Sequence, residues 1–249
     1  MTDGAVVGID TSTRSTSVAV LEAGGGGVIR EVELRDDPAP HESPRHASVL
    51  QPLLEQALER AQVTWDDVER ICVGTGPGGF TGLRLGVSTA RALSQGSELP
   101  VVGVSSLEAL ARGVELVSPN ELDLPGHPEV SGPVLAVIDA RRGEVFAAVY
   151  RHHRTTIEPL AMTPEDLAER ISSRREWGRN PILAVGDGAV RFRAELERAG
   201  AAVPSEGSSA HRVSALMVCR LGRAREPVDR DALLPDYRRE PDAVPPPRK

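Results

Sequence analysis

An acidic residue followed by three hydroxyl-bearing residues is the first pattern in the chain that could support chemistry. Asp10, Thr11, Ser12 and Thr13 directly follow the apolar run 6–9. Backbone N–H groups in a tight turn, together with neighbouring hydroxyls, can hold a phosphate, and the carboxylate could hold a metal-bound water. The same residue types also stabilise an ordinary hairpin turn by side-chain capping. The sequence leaves both interpretations open.

A second acidic turn repeats the first. When Ile138-Asp139 is placed on Ile9-Asp10, L-A-V-I-D-A-R-R-G-E-V-F-A-A-V-Y aligns without a gap with V-V-G-I-D-T-S-T-R-S-T-S-V-A-V-L. The repeat predicts two similar lobes, each starting with a hairpin that presents an aspartate at its tip. In the second turn, however, two arginines stand where small residues would let a phosphate approach the backbone. The candidate nucleotide-binding residues are Asp10, Thr11, Ser12, Thr13, Asp139, Gly186, Asp187 and Gly188.

The stretch G-P-G-G-F-T-G-L-R-L-G, residues 76–86, fits neither the dinucleotide-binding pattern nor the P-loop. Gly82, Gly86 and Ala90 recur every four residues along a predicted helix 81–95 and form a stripe of small residues. Each glycine costs a helix about 1 kcal/mol, so we expect close packing against another helix, within the chain or from a partner. With an amphipathic helix predicted at 46–61, the expected partner interface contains His46, Leu50, Leu53, Leu54, Thr81, Gly82, Leu85, Gly86, Thr89 and Ala90.

Several classes of site are excluded by missing residues. The only lysine is Lys249, which rules out a P-loop and mechanisms that need an internal lysine. Cys72 and Cys219 lie far apart without a C-x-x-C motif. His41 and His46 are five residues apart with a proline between them, which is wrong for two ligands on one helix face. We therefore predict no metal site and assign no catalytic residue.

The composition is that of a globular protein. The 249 residues include 29 Lys and Arg against 36 Asp and Glu, and the net charge of −7 disfavours autonomous nucleic-acid binding. No apolar run reaches the roughly 18–20 residues that cross a bilayer. The first residues lack the features of a signal peptide. We therefore expect a cytoplasmic protein that does not associate with membranes.

Strands and helices alternate in the pattern of an α/β protein. The predicted strands are 6–10, 17–21, 28–34, 71–74, 101–104, 134–139, 144–150 and 182–185. The predicted helices are 46–61, 81–95, 164–175, 189–199 and 213–225. A further helix is predicted to be capped by Ser106 and to end near Gly113.

The glycine-rich stretch resembles the TsaB (YeaZ) family. The resemblance extends to I-D-T-S at 9–12, G-V-S-S-L at 103–107, I-D-A-R-R-G-E-V at 138–145 and P-D-Y-R-R-E-P-D-A at 235–243. It implies a two-lobed α/β fold with duplicated lobes, like that of actin, Hsp70 and sugar kinases (the ASKHA fold). We expect residues 1–108 to form the first lobe and 109–208 the second, with 209–249 packing back on the first.

The resemblance also implies a function and partners. The family belongs to the bacterial machinery that makes threonylcarbamoyladenosine beside the tRNA anticodon, as a non-catalytic scaffold. It implies a homologous catalytic transferase subunit (TsaD-like), a small ATPase subunit (TsaE-like), a homodimer when alone, and tRNA only through the complex. ATP or ADP is expected, if at all, at the level of that complex. The metal-binding H-x-x-x-H of the catalytic paralogue reads H-E-S-P-R-H here, so metal and catalysis are not carried over.

Two alternatives stay open. One is an enzyme of the same superfamily, either a nucleotide-dependent phosphotransferase or a metalloprotease-like protein. The other is a homodimeric binding module that uses the same helix face.

Overall fold

The computed structural model describes residues 4–23, 29–39, 41–122, 124, 132–152, 154–173 and 181–238. Two five-stranded mixed sheets dominate this part of the chain. The strands are β1 Ala5–Asp10, β2 Thr16–Ala23, β3 Ile29–Asp36, β4 Val68–Gly76, β5 Val101–Ser105, β6 Val134–Arg141, β7 Glu144–Arg151, β8 Arg154–Met162, β9 Ile182–Val185 and β10 Ala201–Ala202. The helices are α1 His46–Ala61, α2 Phe80–Ser97, α3 Ser106–Gly113, α4 Pro119–Leu122, α5 Pro164–Ser173, α6 Asp187–Arg191, α7 Arg193–Arg198 and α8 Ala215–Arg223.

The two sheets share one topology. The first has the order β3-β2-β1-β4-β5 and the second, read in the same direction, β8-β7-β6-β9-β10. In each sheet the first three strands in sequence pair antiparallel, and the last two join in parallel. The internal repeat therefore reflects a duplicated lobe, and the predicted two-lobed α/β fold is confirmed.

The two hairpins place an aspartate at equivalent positions. In the first hairpin Ile9 pairs with Val18 and Asp10 with Ser17. In the second Ile138 pairs with Phe146 and Asp139 with Val145. All six residues of β1 are buried, because helices cover both faces of the sheet. This explains why β1 is a continuous apolar run rather than an alternating one.

Helices α3 and α8 lie between the two sheets. A single hydrophobic cluster joins Val6 and Val104 of the first sheet with Ile138 of the second, through Leu110 of α3 and Met217 of α8. A second cluster packs α1 and α2 on the outer face of the first sheet, and a third packs α5 to α7 on the second. The central cluster connects the two lobes through buried apolar surface, which is the dominant stabilising contribution.

Two predictions for helices differ from the structure, and some elements were not predicted, strand β8 among them. Ser105, not Ser106, caps α3, because the Ser105 side chain accepts the hydrogen bond from the Glu108 N–H. The helix predicted at 189–199 is two short helices, α6 and α7, separated at Phe192. Strand β8 was not predicted, since it is an edge strand with an exposed face and a proline, both of which weaken the alternating pattern.

The described part of the C-terminal segment contacts the first sheet. Helix α8 packs on β1, β2 and β4, Val228 pairs with Val101 at the sheet edge, and Leu233 is buried beside them. Residues 239–249 lie outside the described part of the chain. The lobe boundaries at 108 and 208 stay a prediction.

Within the described ranges, no helix combines the length and apolar character needed to cross a bilayer.

Candidate functional site

A cleft of about 410 Å³ lies between the tips of the two hairpins. The first lobe contributes the β1–β2 turn, the residues before and at the start of α1, and the first turn of α2. The second lobe contributes the end of β6 and the start of α6. The lining residues are Ser12, Thr13, Arg14, Pro44, His46, Gly79, Phe80, Thr81, Gly82, Asp139, Arg141 and Asp187.

Asp10 does not present a free carboxylate to this cleft. Its side chain is buried, and its Oδ1 accepts hydrogen bonds from the Ser12 N–H (3.0 Å) and the Ser12 hydroxyl (2.7 Å). Its Oδ2 accepts a third from the Ser106 hydroxyl at 2.9 Å. Burial raises the pKa of Asp10, and the Ser12 and Ser106 hydrogen bonds oppose that shift. Asp10 therefore ties the first turn to the start of α3.

Gly82 and Gly86 of α2 contact the first turn rather than another helix. The Thr11 hydroxyl donates to the Gly82 carbonyl at 2.7 Å. A Cβ on Gly82 would overlap the Thr11 carbonyl oxygen, and a Cβ on Gly86 would overlap the Thr11 hydroxyl oxygen. The interpretation of the small-residue stripe as a helix–helix contact is therefore wrong for these two glycines, because the stripe admits the β1–β2 turn.

The residues just before α2 also contact the β1–β2 turn. The Gly79 N–H donates to the Ser12 carbonyl at 2.7 Å. A Cβ on Gly78 would also overlap the Ser12 carbonyl. The backbone donor at Gly79, which could have held a phosphate, is thus used within the chain.

In the second lobe, Asp139 is held by arginines. Its Oδ2 lies 2.8 Å from Arg191 Nη1 and 3.5 Å from Arg141 Nη1. The Asp139 N–H donates to Asp187 Oδ1 at 3.0 Å. Burial raises the pKa of Asp187 to about 6, and the nearby Asp139 carboxylate acts in the same direction. The Asp139 and Asp187 carboxylates thus both lie on the second-lobe side of the cleft.

Gly186 and Gly188 have a packing role in the structure. Gly186 has φ +113°, and a Cβ there would overlap the Val137 carbonyl of β6. Its N–H donates to His211 Nδ1 at 3.1 Å, and His211 Nε2 contacts the Pro204 carbonyl at 3.0 Å. Burial lowers the pKa of His211. His211 was not predicted, because an isolated histidine carries no sequence signal for such a bridge.

Most of the predicted interface residues are already covered by the chain. His46, Leu50, Leu54, Gly82, Gly86 and Ala90 are buried, Leu53, Leu85 and Thr89 are half-buried, and Thr81 is exposed. His46 contacts the Thr16 hydroxyl at 2.8 Å through Nδ1, and burial lowers its pKa. The six buried residues face the interior of the chain, and the other four are at least partly exposed.

Metal-ligating side chains do not cluster in threes in the part of the chain that the structure describes. Within the described ranges no three His, Cys, Asp or Glu side chains come together in a group that could hold a metal ion. Both cysteines are buried, and burial raises the pKa of Cys72 to about 12. Thiols with a raised pKa are poor nucleophiles and poor metal ligands at neutral pH.

Ser106 and Tyr237 are further residues near the site that were not predicted. Ser106 also accepts the Gly76 N–H at 3.1 Å, so it connects Asp10 to the glycine-rich loop. The Tyr237 ring lies against the Phe80 ring. The sequence signal for both was present, since the two residues fall within motifs that carry the family resemblance.

Comparisons with known proteins agree with this geometry. Residues 39–176, more than half of the chain, match the family model described as TsaD: tRNA N6-adenosine threonylcarbamoyltransferase. The tRNA threonylcarbamoyladenosine biosynthesis protein TsaB of Escherichia coli K12 is 32% identical over 178 residues, covering 69% of this chain and 68% of that protein. The chain belongs to the TsaB (YeaZ) family.

Two further relatives extend the match over nearly the whole chain. The Bacillus subtilis TsaB protein is 26% identical over 238 residues, covering 94% of this chain and 93% of the relative. The structure of YeaZ from Pseudomonas aeruginosa superposes with a TM-score of 0.71 at 24% identity, covering 94% of this chain and 99% of that one. The fold of this TsaB-family chain is therefore that of a solved YeaZ structure.

Proposed function

We propose that this chain is a non-catalytic scaffold subunit of the bacterial machinery that makes threonylcarbamoyladenosine in tRNA. Membership of the TsaB family supports the pathway, since its relatives carry the name of that biosynthesis. One observation carries the scaffold role: the Thr11 hydroxyl and the Gly79 N–H, two donors that a phosphate could use, are hydrogen-bonded to the Gly82 and Ser12 carbonyls within the chain. The phosphotransferase and metalloprotease alternatives draw no support from this arrangement.

The proposed partner is the homologous catalytic subunit, a TsaD-like protein. The match to the TsaD family model is consistent with two subunits of related fold. We assign the contact to the surface formed by the outer sides of α1 and α2, here called the α1–α2 face. Its members from the predicted set are Leu53, Thr81, Leu85 and Thr89, which are half-buried or exposed. None of the four carries a charge, and charged residues are depleted at the cores of protein interfaces.

The remaining partners follow from the same proposal. A small TsaE-like ATPase joins the assembled complex, which handles ATP or ADP, and tRNA binds through the complex. The isolated chain forms a homodimer through the α1–α2 face, because homologous subunits present similar surfaces and two-fold contacts are the commonest symmetry. The assembly works in the cytoplasm.

Depletion of the chain in its host tests the proposed pathway. Bulk tRNA from depleted cells is digested, and threonylcarbamoyladenosine is quantified against an unrelated modified nucleoside by mass spectrometry. The proposal predicts loss of threonylcarbamoyladenosine alone and its recovery when the chain is expressed again. An unchanged amount after complete depletion would contradict it.

A further inference from the structure

Two aromatic side chains lie together on the surface at the edge of the cleft. The chain has only three Phe, two Tyr and two Trp. The Phe80 and Tyr237 side chains are 47% and 46% exposed, and their ring centroids are 5.2 Å apart with a 30° angle between the planes. Phe80 also lines the cleft. Pairing two scarce aromatic residues on the surface leaves apolar area in water that a ligand could cover.

Segments distant in sequence hold the two rings in place. Phe80 is the first residue of α2, and Tyr237 belongs to the C-terminal segment. The Asp236 N–H donates to the Thr75 carbonyl at 2.7 Å, which fixes this segment beside the glycine-rich loop. On the other side of Tyr237, Arg238 pairs with Asp236 at 2.7 Å and its Nη1 donates to the Pro159 carbonyl of β8 at 3.5 Å. The ring pair is thus positioned by backbone and side-chain contacts on both sides of Tyr237.

Charged groups of both signs lie against Phe80 or line the cleft with it. The Arg84 guanidinium lies 5.0 Å from the centre of the Phe80 ring. The Arg141 side chain is 58% exposed and lines the cleft together with Asp139 and Asp187. An unpaired nucleotide presents a flat ring, a phosphate and a polar base edge. Aromatic faces stack on the ring, arginines bind the phosphate, and carboxylates accept hydrogen bonds from amino groups of the base.

We propose that the Phe80–Tyr237 pair and the adjoining cleft bind one unpaired nucleotide of the tRNA within the assembled complex. This inference rests on the proposed function. The cleft volume of about 410 Å³ falls in the range of roughly 300–1,000 Å³ that is usual for small-ligand sites. A free nucleoside triphosphate fits less well, because Arg141 and Arg191 already pair with Asp139 and leave little positive charge for a cluster of phosphates. An RNA nucleotide carries one phosphate charge, which can lie at the edge of the cleft where the arginines are.

The test measures RNA binding by the complex of this chain with its catalytic subunit. A labelled anticodon stem-loop is titrated by fluorescence anisotropy, and a fully paired duplex of equal length is the RNA control. Tyr237→Leu and Phe80→Leu remove one ring each and keep apolar bulk. Tyr237→Phe keeps stacking, and Ile29→Ala, at an exposed apolar side chain on β3, is the matched control.

We expect the Leu variants to bind the stem-loop about tenfold more weakly, within the range for loss of one stacked base. Duplex binding and the slope of affinity against salt stay unchanged, because no phosphate contact is lost. Tyr237→Phe and Ile29→Ala bind like the wild type. Arg84→Gln lowers the salt slope by about one.

Three results would overturn the proposal. The first is unchanged stem-loop affinity in both Leu variants. The second is loss of complex assembly on gel filtration with normal RNA affinity of the complex that remains, which would assign the rings to a protein interface. The third is binding of AMP that depends on both rings when stem-loop binding does not, which would assign the site to a free nucleotide. In each case the wild-type chain still joins its catalytic subunit, so the proposed function stands; failure of that assembly would count against the function itself.

Discussion

Thr11 lies against Gly82 and Gly86, and this contact explains why α2 has glycine at both positions. Because the turn residue lies against Gly82 and Gly86, we expect Gly86→Val to destabilise the monomer. The added branch must displace Thr11 or bend α2, at a cost of about 2–4 kcal/mol. Chemical denaturation of the isolated chain measures this loss.

Gly96 supplies the matched control in the same helix. A Cβ there meets nothing within 4 Å, so Gly96→Ala should raise the free energy of unfolding by up to about 1 kcal/mol through helix propensity. If Gly86→Val were as stable as the wild type and failed only to bind a partner, the assignment of the stripe to the chain's own core would be wrong.

Asp187 gives the stability of the protein a defined pH dependence. Its pKa rises from 3.8 in the unfolded chain to about 6 in the folded one. The folded state therefore binds more protons between about pH 4 and pH 6, and the free energy of unfolding falls as pH rises through that window. The shift corresponds to about 3 kcal/mol at neutral pH.

Asp187→Asn removes this dependence and keeps an oxygen that can accept the Asp139 N–H. We expect the variant to be more stable than the wild type at pH 7 and nearly equal to it at pH 3.5. Urea denaturation at several pH values provides the measurement, and Asp66→Asn at an exposed site is the control. A wild-type pH profile in the Asp187 variant would refute the assignment.

At the scale of elements, the α1–α2 face is the surface on which the proposed assembly depends. Thr81→Arg combined with Thr89→Arg places two long charged side chains on α2 at positions that are exposed or half-buried. Arginine is a better helix former than threonine, so folding should be retained. We expect binding to the catalytic subunit to weaken at least tenfold, because unpaired charges would be buried at the contact.

Calorimetric titration with the catalytic subunit measures that loss. Ser172→Arg on α5 adds one arginine to an exposed site on the second lobe and should bind normally. Normal binding by the double α2 variant, with its thermal stability unchanged, would move the interface elsewhere.

The sequence predicts the secondary-structure elements more accurately than the contacts between them. Helix α1 was predicted with its observed bounds, since its apolar spacing and the loop before it mark both ends. The duplicated hairpin was found because apolar strands and an acidic turn repeat in order. The contact of Gly82 was not predicted, because a stripe of small residues indicates that another segment packs closely but not which segment it is. What approaches is a turn 71 residues away in sequence, which periodicity cannot identify.

At the scale of the whole molecule, the cluster around α3 and α8 joins the two lobes. Because the same buried residues cover one face of each sheet, we expect a single cooperative unfolding transition. Differential scanning calorimetry should give a calorimetric enthalpy equal to the van 't Hoff enthalpy. Two resolved transitions would show that the lobes predicted at 1–108 and 109–208 unfold independently, and would contradict the shared core.

Reconstitution of the modification from purified components tests whether this chain is a non-catalytic scaffold. This chain, the proposed catalytic and ATPase subunits, unmodified tRNA and a threonylcarbamoyl donor are combined, and each protein is omitted in turn. The scaffold assignment predicts threonylcarbamoyladenosine only when this chain is present, none from this chain alone, and full yield with Asp10→Asn if that variant folds. Full modification without this chain, or modification by this chain in the absence of the catalytic subunit, would contradict it.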